Sequence, residues 1–177
     1  SLPDGTPQRL ALAVASADLA VLGPRFVAPL LAPARAQALS FGGQLSAGVV
    51  FEGGRLRSVD AALDAVRFED AGTALAFGPL SGSVPWREDA ATRIELQVGG
   101  GRWEALELGA FEFVAAVHGE RFDVAQVEVP LLDGRLVLND LALRRDEAGW
   151  HGSGGAVVEP VSMPLLTRAV GLPEMAG

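Results

Sequence analysis

The sequence contains no cysteine, no lysine and no tyrosine, and only two of its 177 residues are histidine. A chain without cysteine forms no disulfide, uses no thiol nucleophile and builds no zinc site on cysteine sulfur. The lack of cysteine leaves the compartment open, because it is compatible with both the cytoplasm and the periplasm.

Positive charge is also scarce. All 14 basic residues are arginine, and they face 22 acidic residues, which gives a formal net charge of −8. Binding to nucleic acid requires many lysine and arginine side chains near the phosphates. Docking on anionic lipid headgroups requires a similar basic patch. The composition argues against both functions.

Long apolar runs are missing as well. Hydrophobic residues make up 49% of the chain, yet none of its apolar stretches approaches the ~18 residues of a membrane-spanning helix. The opening "SLPDGTPQ" has neither the basic nor the apolar region of a signal peptide. We expect 1–177 to be one β-rich segment, excised from a longer protein whose targeting segment lies upstream.

Short alternating segments dominate what is present. "TRIELQV" alternates without a break, and further strand-like segments start near Leu10, Leu45, Leu75, Phe111 and Trp150. Alternation with polar residues on the second face is typical of antiparallel sheets. "RLRSVDAALDAVRFED" fits a helix or a strand with a slip near Asp60, and its strand neighbours favour the strand. The fold class predicted is mainly β, with an antiparallel, strongly curved sheet.

Two segments break this pattern. "PRFVAPLLAPARAQ" holds three prolines, so we expect an irregular segment or a very short helix. Residues 162–171 carry helix signals, with Ser162 as N-cap, Pro164 in the first turn and Gly171 after the last turn. The sequence therefore predicts one short helix at the C-terminal end of the segment.

Gly-Gly and Asp-Gly pairs mark the predicted turns. "GGRL", "GGRW" and "DGRL" each precede a strand, and "GGG" is interpreted as the turn after "TRIELQV". Asp133-Gly134 is predicted to form a tight turn with both residues at positive φ. After it, Leu136 and Leu138 are out of phase with Leu141 and Leu143. A β-bulge near Asn139-Asp140 would place all four leucines on one face and bend the strand.

The histidines and carboxylates of the sequence form no recognisable catalytic or metal-binding motif. His118 has only Glu120 and Asp123 as nearby metal ligands, and a solvated turn is the simpler interpretation. His151 in "WHGSGG" lacks a nucleophile elbow to accompany it. Paired carboxylates such as Asp60 and Asp64 are typical of a solvated strand face. We therefore expect no enzyme, no cofactor and no metal.

The pattern of turns and strands resembles a known family. "FEGGRLRSVDAALDAVRFEDAGTALAFGPLSGSVPW" and "HGSGGAVVEPVSMPLLTRAVGLPEMAG" are similar to the AsmA-like proteins of Gram-negative bacteria, in the YdbH ("dicarboxylate transport" domain) branch. The resemblance covers roughly residues 45–177 and carries no catalytic motif. It implies a bridge-like lipid transfer protein, anchored in the inner membrane, whose β-groove carries phospholipid across the periplasm.

The resemblance also implies partners. The acyl chains of phospholipids would lie on the concave apolar face, next to neighbouring β-segments of the parent protein. A small outer-membrane lipoprotein would bind by adding a strand at a sheet edge. A "dicarboxylate" ligand is not supported by any basic cluster in the sequence.

Two functions of different classes remain open at this point. The first is a non-enzymatic lipid conduit, and the second is a closed all-β binding or scaffolding module that acts through its sheet edges. Alternation alone does not separate groove-lining from core-filling residues. The candidates for the lipid-facing side are Ile94, Leu96, Val98, Leu106, Leu108, Leu136, Leu138, Leu141 and Leu143.

Overall fold

The computed structural model describes residues 8–31, 33–146 and 149–162. The fold is mainly β, as predicted, and its strands form one antiparallel sheet with a ring-like arrangement. A helix long and apolar enough to cross a membrane is not found among these residues. The predicted helix at 162–171 lies outside the described residues, apart from Ser162.

The strands follow the alternating segments of the sequence. They are β1 (Arg9–Asp18), β2 (Leu39–Glu52), β3 (Arg55–Asp70), β4 (Leu75–Arg87), β5 (Thr92–Val98), β6 (Gly101–Trp103), β7 (Leu106–Leu108), β8 (Phe111–His118), β9 (Arg121–Leu131), β10 (Gly134–Asp146) and β11 (Gly149–Val158). The ambiguous segment is the 16-residue strand β3, so the preference for a strand is confirmed.

The eleven strands form nine longer strands, and these follow one another across the sheet in the order of the chain. β5 and β6 both pair with β4, and β7 and β8 continue the antiparallel pairing with β6 and β5. Each of these two composite strands is interrupted once, at Gly99-Gly100 and at Gly109-Ala110. The result is a meander in which consecutive strands lie side by side, and the outer strands β1 and β11 each pair with one neighbour in the described chain.

Two sequence-based predictions about irregular positions are wrong. The "GGG" run does not turn the chain: it interrupts a strand that continues through Gly101 to Trp103, and the turn follows at Glu104-Ala105. The Cβ of a residue at 101 would overlap Phe77, so glycine here permits close strand approach. In β3 the slip lies between Leu63 and Val66, with Ala65 at a φ of +49°, and not at Asp60.

The turn before β10 also differs from its prediction. Leu131 pairs with Gly134, so the two loop residues are Leu132 and Asp133. Leu132 has a φ of +55°, whereas neither Asp133 nor Gly134 has a positive φ. Gly134 serves another purpose, because a Cβ there would lie 2.5 Å from the Pro160 carbonyl oxygen. Asp133 contributes its side chain, which accepts a hydrogen bond from the Ser162 amide at 2.9 Å.

The proline-rich segment is helical rather than irregular. Short α-helical turns at Leu19–Leu22 and Ala28–Leu31 flank a π-helical turn at Gly23–Val27, and a 3₁₀ helix follows at Pro33–Ala38. The Asp18 side chain caps the first turn by accepting the Ala20 amide at 2.8 Å. A Cβ at Gly23 would overlap the Phe41 ring, so this segment packs closely onto β2.

Irregular pairing recurs from strand to strand and bends the sheet. Register shifts interrupt β1 after Val14, β2 after Gly42 and β3 after Leu63. β10 has one extra residue relative to β11 between Asn139 and Ala142, and Asp140 has a φ of +50°. The predicted bulge near Asn139-Asp140 is therefore confirmed. Bulges increase local twist and bending, which suits a sheet that curls toward one face.

Candidate functional site: an apolar groove

One apolar face runs across the whole sheet. Cross-strand pairs join Val14 to Ala47, Ala47 to Ala61, and Ala61 to Val84 through the first four strands. On the later strands Ile94 pairs with Ala115, and Val124 pairs with Leu141. Because side chains alternate along a strand, these rows lie on the same face of a nine-strand surface.

The centre of this face is buried by the curvature of the sheet. The core cluster consists of Ile94, Ala115, Val117, Val124, Val127 and Val129. Val117 is only 1% exposed. Trp86 packs against this cluster and its indole nitrogen donates to the Gly119 carbonyl at 2.8 Å, so β4 reaches over β5 to the hairpin that joins β8 and β9.

Beside this cluster the face opens into a groove of about 660 Å³. Strands β5, β8, β9, β10 and β11 all line it. The lining residues are Ile94, Phe113, Ala115, Phe122, Val124, Leu138, Leu141, Ala142, Leu143, Gly152, Ser153, Gly154, Gly155 and Ala156. The volume lies within the range of about 300–1,000 Å³ that is typical of ligand sites. The groove has hardly any hydrogen-bonding side chain, so its chemistry suits hydrocarbon.

Glycines form the β11 side of the groove. Gly152 and Gly154 occupy inward positions of β11, where Gly152 pairs with Leu143 and the Leu141 side chain lies over Gly154. A Cβ at Gly152 would have its nearest neighbour at 3.8 Å, in the Leu143 side chain, so the space above Gly152 is open. Leu143 is 42% exposed, although it lies on the apolar face. Gly152 thus leaves Leu143 accessible from the groove, whereas Gly154 makes room for the Leu141 side chain.

The opposite face of the sheet is polar. Arg93, Glu95 and Gln97 alternate with the inward residues of β5, and Arg93 pairs with Glu95 at 2.6 Å. On β9 and β10, Arg121 pairs with Asp123 at 2.7 Å, and Arg135 pairs with Glu128 at 2.9 Å. Such exposed pairs contribute little stability. They identify this face as the solvated one.

The nine predicted lipid-facing residues fall into three groups. Ile94, Leu138, Leu141 and Leu143 line the groove. Leu96, Leu108 and Leu136 pack on the buried cluster, and Val98 is itself only 5% exposed. Leu106 is half-buried beside Trp103, at the far end of the sheet. Ile94 also belongs to the core cluster, and Leu138 and Leu141 pack against it, so the groove lies along one side of the core and is not separate from it.

Several groove residues were missed from the sequence. Phe113, Ala115, Phe122 and Val124 belong to the same alternating pattern and could have been found by extending it through β8 and β9. The glycines of β11 gave no apolar signal. Their place in the groove follows only from the pairing of β11 with β10.

The histidines and carboxylates show no further organised site. Over the ranges described, three or more histidine, aspartate or glutamate side chains never come together in a way that could hold a metal. The pKa of Asp123 is lowered, chiefly by the hydrogen bond from Arg121. The pKa of Asp133 is lowered by hydrogen bonds from Ser162. Both carboxyls are solvent-exposed and stabilise hairpin ends.

No protein-family model, curated protein or solved structure matches this chain. The functional argument therefore depends on the chemistry of the groove.

Proposed function

We propose that this chain is a non-enzymatic segment of a lipid conduit, and that its groove holds the acyl chains of phospholipid. The observation that supports the proposal is the accessible apolar wall formed by Phe113, Leu138, Leu141 and Leu143. A contiguous exposed apolar surface is unusual in a soluble chain and marks a binding site. Each methylene buried there would contribute about 0.8 kcal/mol.

The resemblance to AsmA-like proteins suggests a compartment and a parent protein for this groove. In that setting the chain lies in the periplasm as part of a parent anchored in the inner membrane, and it moves phospholipid between the two membranes. Neighbouring β-segments would continue the groove by pairing with β1 and β11. An outer-membrane lipoprotein would add its strand at such an edge.

The competing function is a binding or scaffolding module that acts through sheet edges, with the apolar face serving only as its core. The exposed side chains of β1 and β11 suit that alternative, because Leu12 is 53% and Val158 is 60% exposed. Organic extraction of the purified protein followed by lipid mass spectrometry separates the two functions. Stoichiometric phospholipid supports the conduit, and a lipid-free protein contradicts it.

A pair of glycine variants links that result to the groove. Gly152→Leu adds a side chain into the groove, and we expect it to lower bound phospholipid at least about tenfold because it occupies the ligand volume. Gly48→Leu is the matched control, since a Cβ at Gly48 meets no atom within 4 Å and points away from the apolar face. Equal lipid content in both variants would show that the lipid lies elsewhere.

A further inference from the structure

Strands β8 and β9 are neighbours, but their pairing is interrupted in the middle. Ala116, Val117 and His118 pair with Asp123, Phe122 and Arg121 next to the hairpin. The next pair along the same register is Leu108 with Leu131, and the Gly109 amide donates to the Pro130 carbonyl at 2.8 Å. Between these two attachments, residues 110–115 form no cross-strand pair with residues 124–129, although β8 stays paired with β5 and β9 with β10, and we call this stretch the seam.

The sequence explains why the seam does not pair. The inward residues of β8 change phase at Gly109-Ala110, whereas those of β9 change phase at Ala125-Gln126, where two consecutive residues are exposed. Between these positions an inward residue on β8 would face an outward residue on β9, so regular pairing is disfavoured. Pro130 also has no N–H, and its carbonyl points toward β7, so it provides no donor on that side.

The seam separates two cavities. Ala115 and Val124 line the groove on the apolar face. Val114, Ala116 and Ala125, together with Arg93, Asp123 and Gln126, line a cavity of about 310 Å³ on the solvated face. The two cavities thus lie on opposite sides of the same pair of strands. Arg93, Asp123 and Gln126 at the outer mouth bond to Glu95, Arg121 and Glu128, and a zwitterionic head would bind there by sharing these pairs.

We infer that the seam is a side port, through which a lipid enters or leaves the groove between β8 and β9 rather than along the open edge. This inference rests on the proposed function. The hairpin at Gly119 and the contact of Gly109 with Pro130 hold the two ends, so the strands separate only between them. Opening breaks no backbone pair between β8 and β9, although it parts the core-cluster residues Ala115, Val124, Val127 and Val129.

Amide hydrogen exchange tests the seam without any ligand. The two-residue loop Gly119-Glu120 makes His118 and Arg121 a hydrogen-bonded pair, so the amides of Glu112 and Val114 point toward β9. The amides of Phe113 and Ala115 point toward β5, with which they are fully paired. We expect Glu112 and Val114 to exchange at least about 100-fold faster than Phe113 and Ala115. Equal protection of all four would overturn the inference.

A disulfide lock tests the port, and the chain has no native cysteine to interfere. The variant Val114→Cys/Ala125→Cys places two thiols on the outer side of the seam. Its control, Gln97→Cys/Glu112→Cys, bridges a pair of the complete β5–β8 ladder. Both are oxidised, or bridged with a short bis-maleimide, and mixed with phosphatidylcholine vesicles that carry a fluorescent phospholipid.

We expect the seam lock to slow uptake of the fluorescent phospholipid at least about tenfold, and reduction of the disulfide form to restore it, while the bridged control keeps the rate of the unmodified protein. Unchanged uptake with the seam closed would overturn the port and leave the lipid-binding groove intact. If the unmodified protein and the control take up no lipid either, the proposed function fails, and the port fails with it.

Discussion

The central and outer strands have the same alternation of apolar residues, but these residues are buried in the central strands and exposed in the outer ones. Val117 on β8 is 1% exposed, whereas Val14 on β1 is 48% exposed, although both belong to the apolar face. The central strands bury this face because neighbouring strands curl over it. Within the described residues the outer strands have a neighbour on one side only, so their apolar residues stay accessible. Position in the sheet, and not residue type, decides which residues become core.

The largest effect that can test this comparison comes from one charge placed at both positions. Val117→Asp buries a carboxylate without a partner, and we expect it to destabilise the fold by at least about 4 kcal/mol. Val14→Asp leaves the carboxylate in water and should cost less than about 1 kcal/mol. Urea unfolding followed by circular dichroism measures both. Similar losses would mean that β1 is as well covered as β8.

A smaller effect sharpens the comparison within the outermost hairpin. A Cβ at Gly134 would overlap the carbonyl oxygens of Glu159 and Pro160, so Gly134→Ala should destabilise by about 2 kcal/mol. Gly152→Ala meets only ordinary contact at 3.8 Å and should change stability by less than about 0.5 kcal/mol. Thermal unfolding of the two variants compares them directly. A stable Gly134→Ala protein would show that the end of β11 is not held tightly.

The smallest effect concerns the hydrogen bond between Ser162, which follows β11, and the Asp133 side chain. Hydrogen bonds from Ser162 lower the pKa of Asp133 below its ordinary value. A lowered folded-state pKa stabilises the contact above the unfolded-state value of about 3.9, and the stabilisation is lost as the pH falls through the folded pKa. The Ser162 amide resonance should therefore move only once the pH falls below the unfolded-state value of about 3.9. This movement should vanish in Asp133→Asn, and its persistence there would point to another group.

Most of the strands could be predicted from the sequence, because alternation and turn residues are local signals. "TRIELQV" became β5, and the phase change at Asn139-Asp140 became a bulge. The local signals gave wrong predictions where a residue is required by a contact with a segment that is distant in the sequence. Gly134 and Gly101 were interpreted as turn residues, whereas both are needed because another strand or segment comes close. For the proline-rich segment the sequence left an irregular chain and a very short helix open, and the structure has short helical turns there, since proline is tolerated in the first turn of a helix.

The groove could be predicted only in part. The leucines of β10 were found because they are large and periodic. The glycines of β11 were not, since a residue without a side chain gives no hydropathy signal, and its role is to leave space. The seam was equally hidden, because it depends on phase changes in two strands at positions that do not match across the sheet.

The sequence by itself determined an antiparallel all-β chain with one apolar and one charged face, since both properties are repeated every second residue. It also indicated one place where a strand bends, because the leucines of β10 change phase at Asn139-Asp140. Only the tertiary structure decided which part of the apolar face is core and which part is groove. That division depends on curvature and on the number of neighbouring strands, and both result from pairing between residues far apart in the chain.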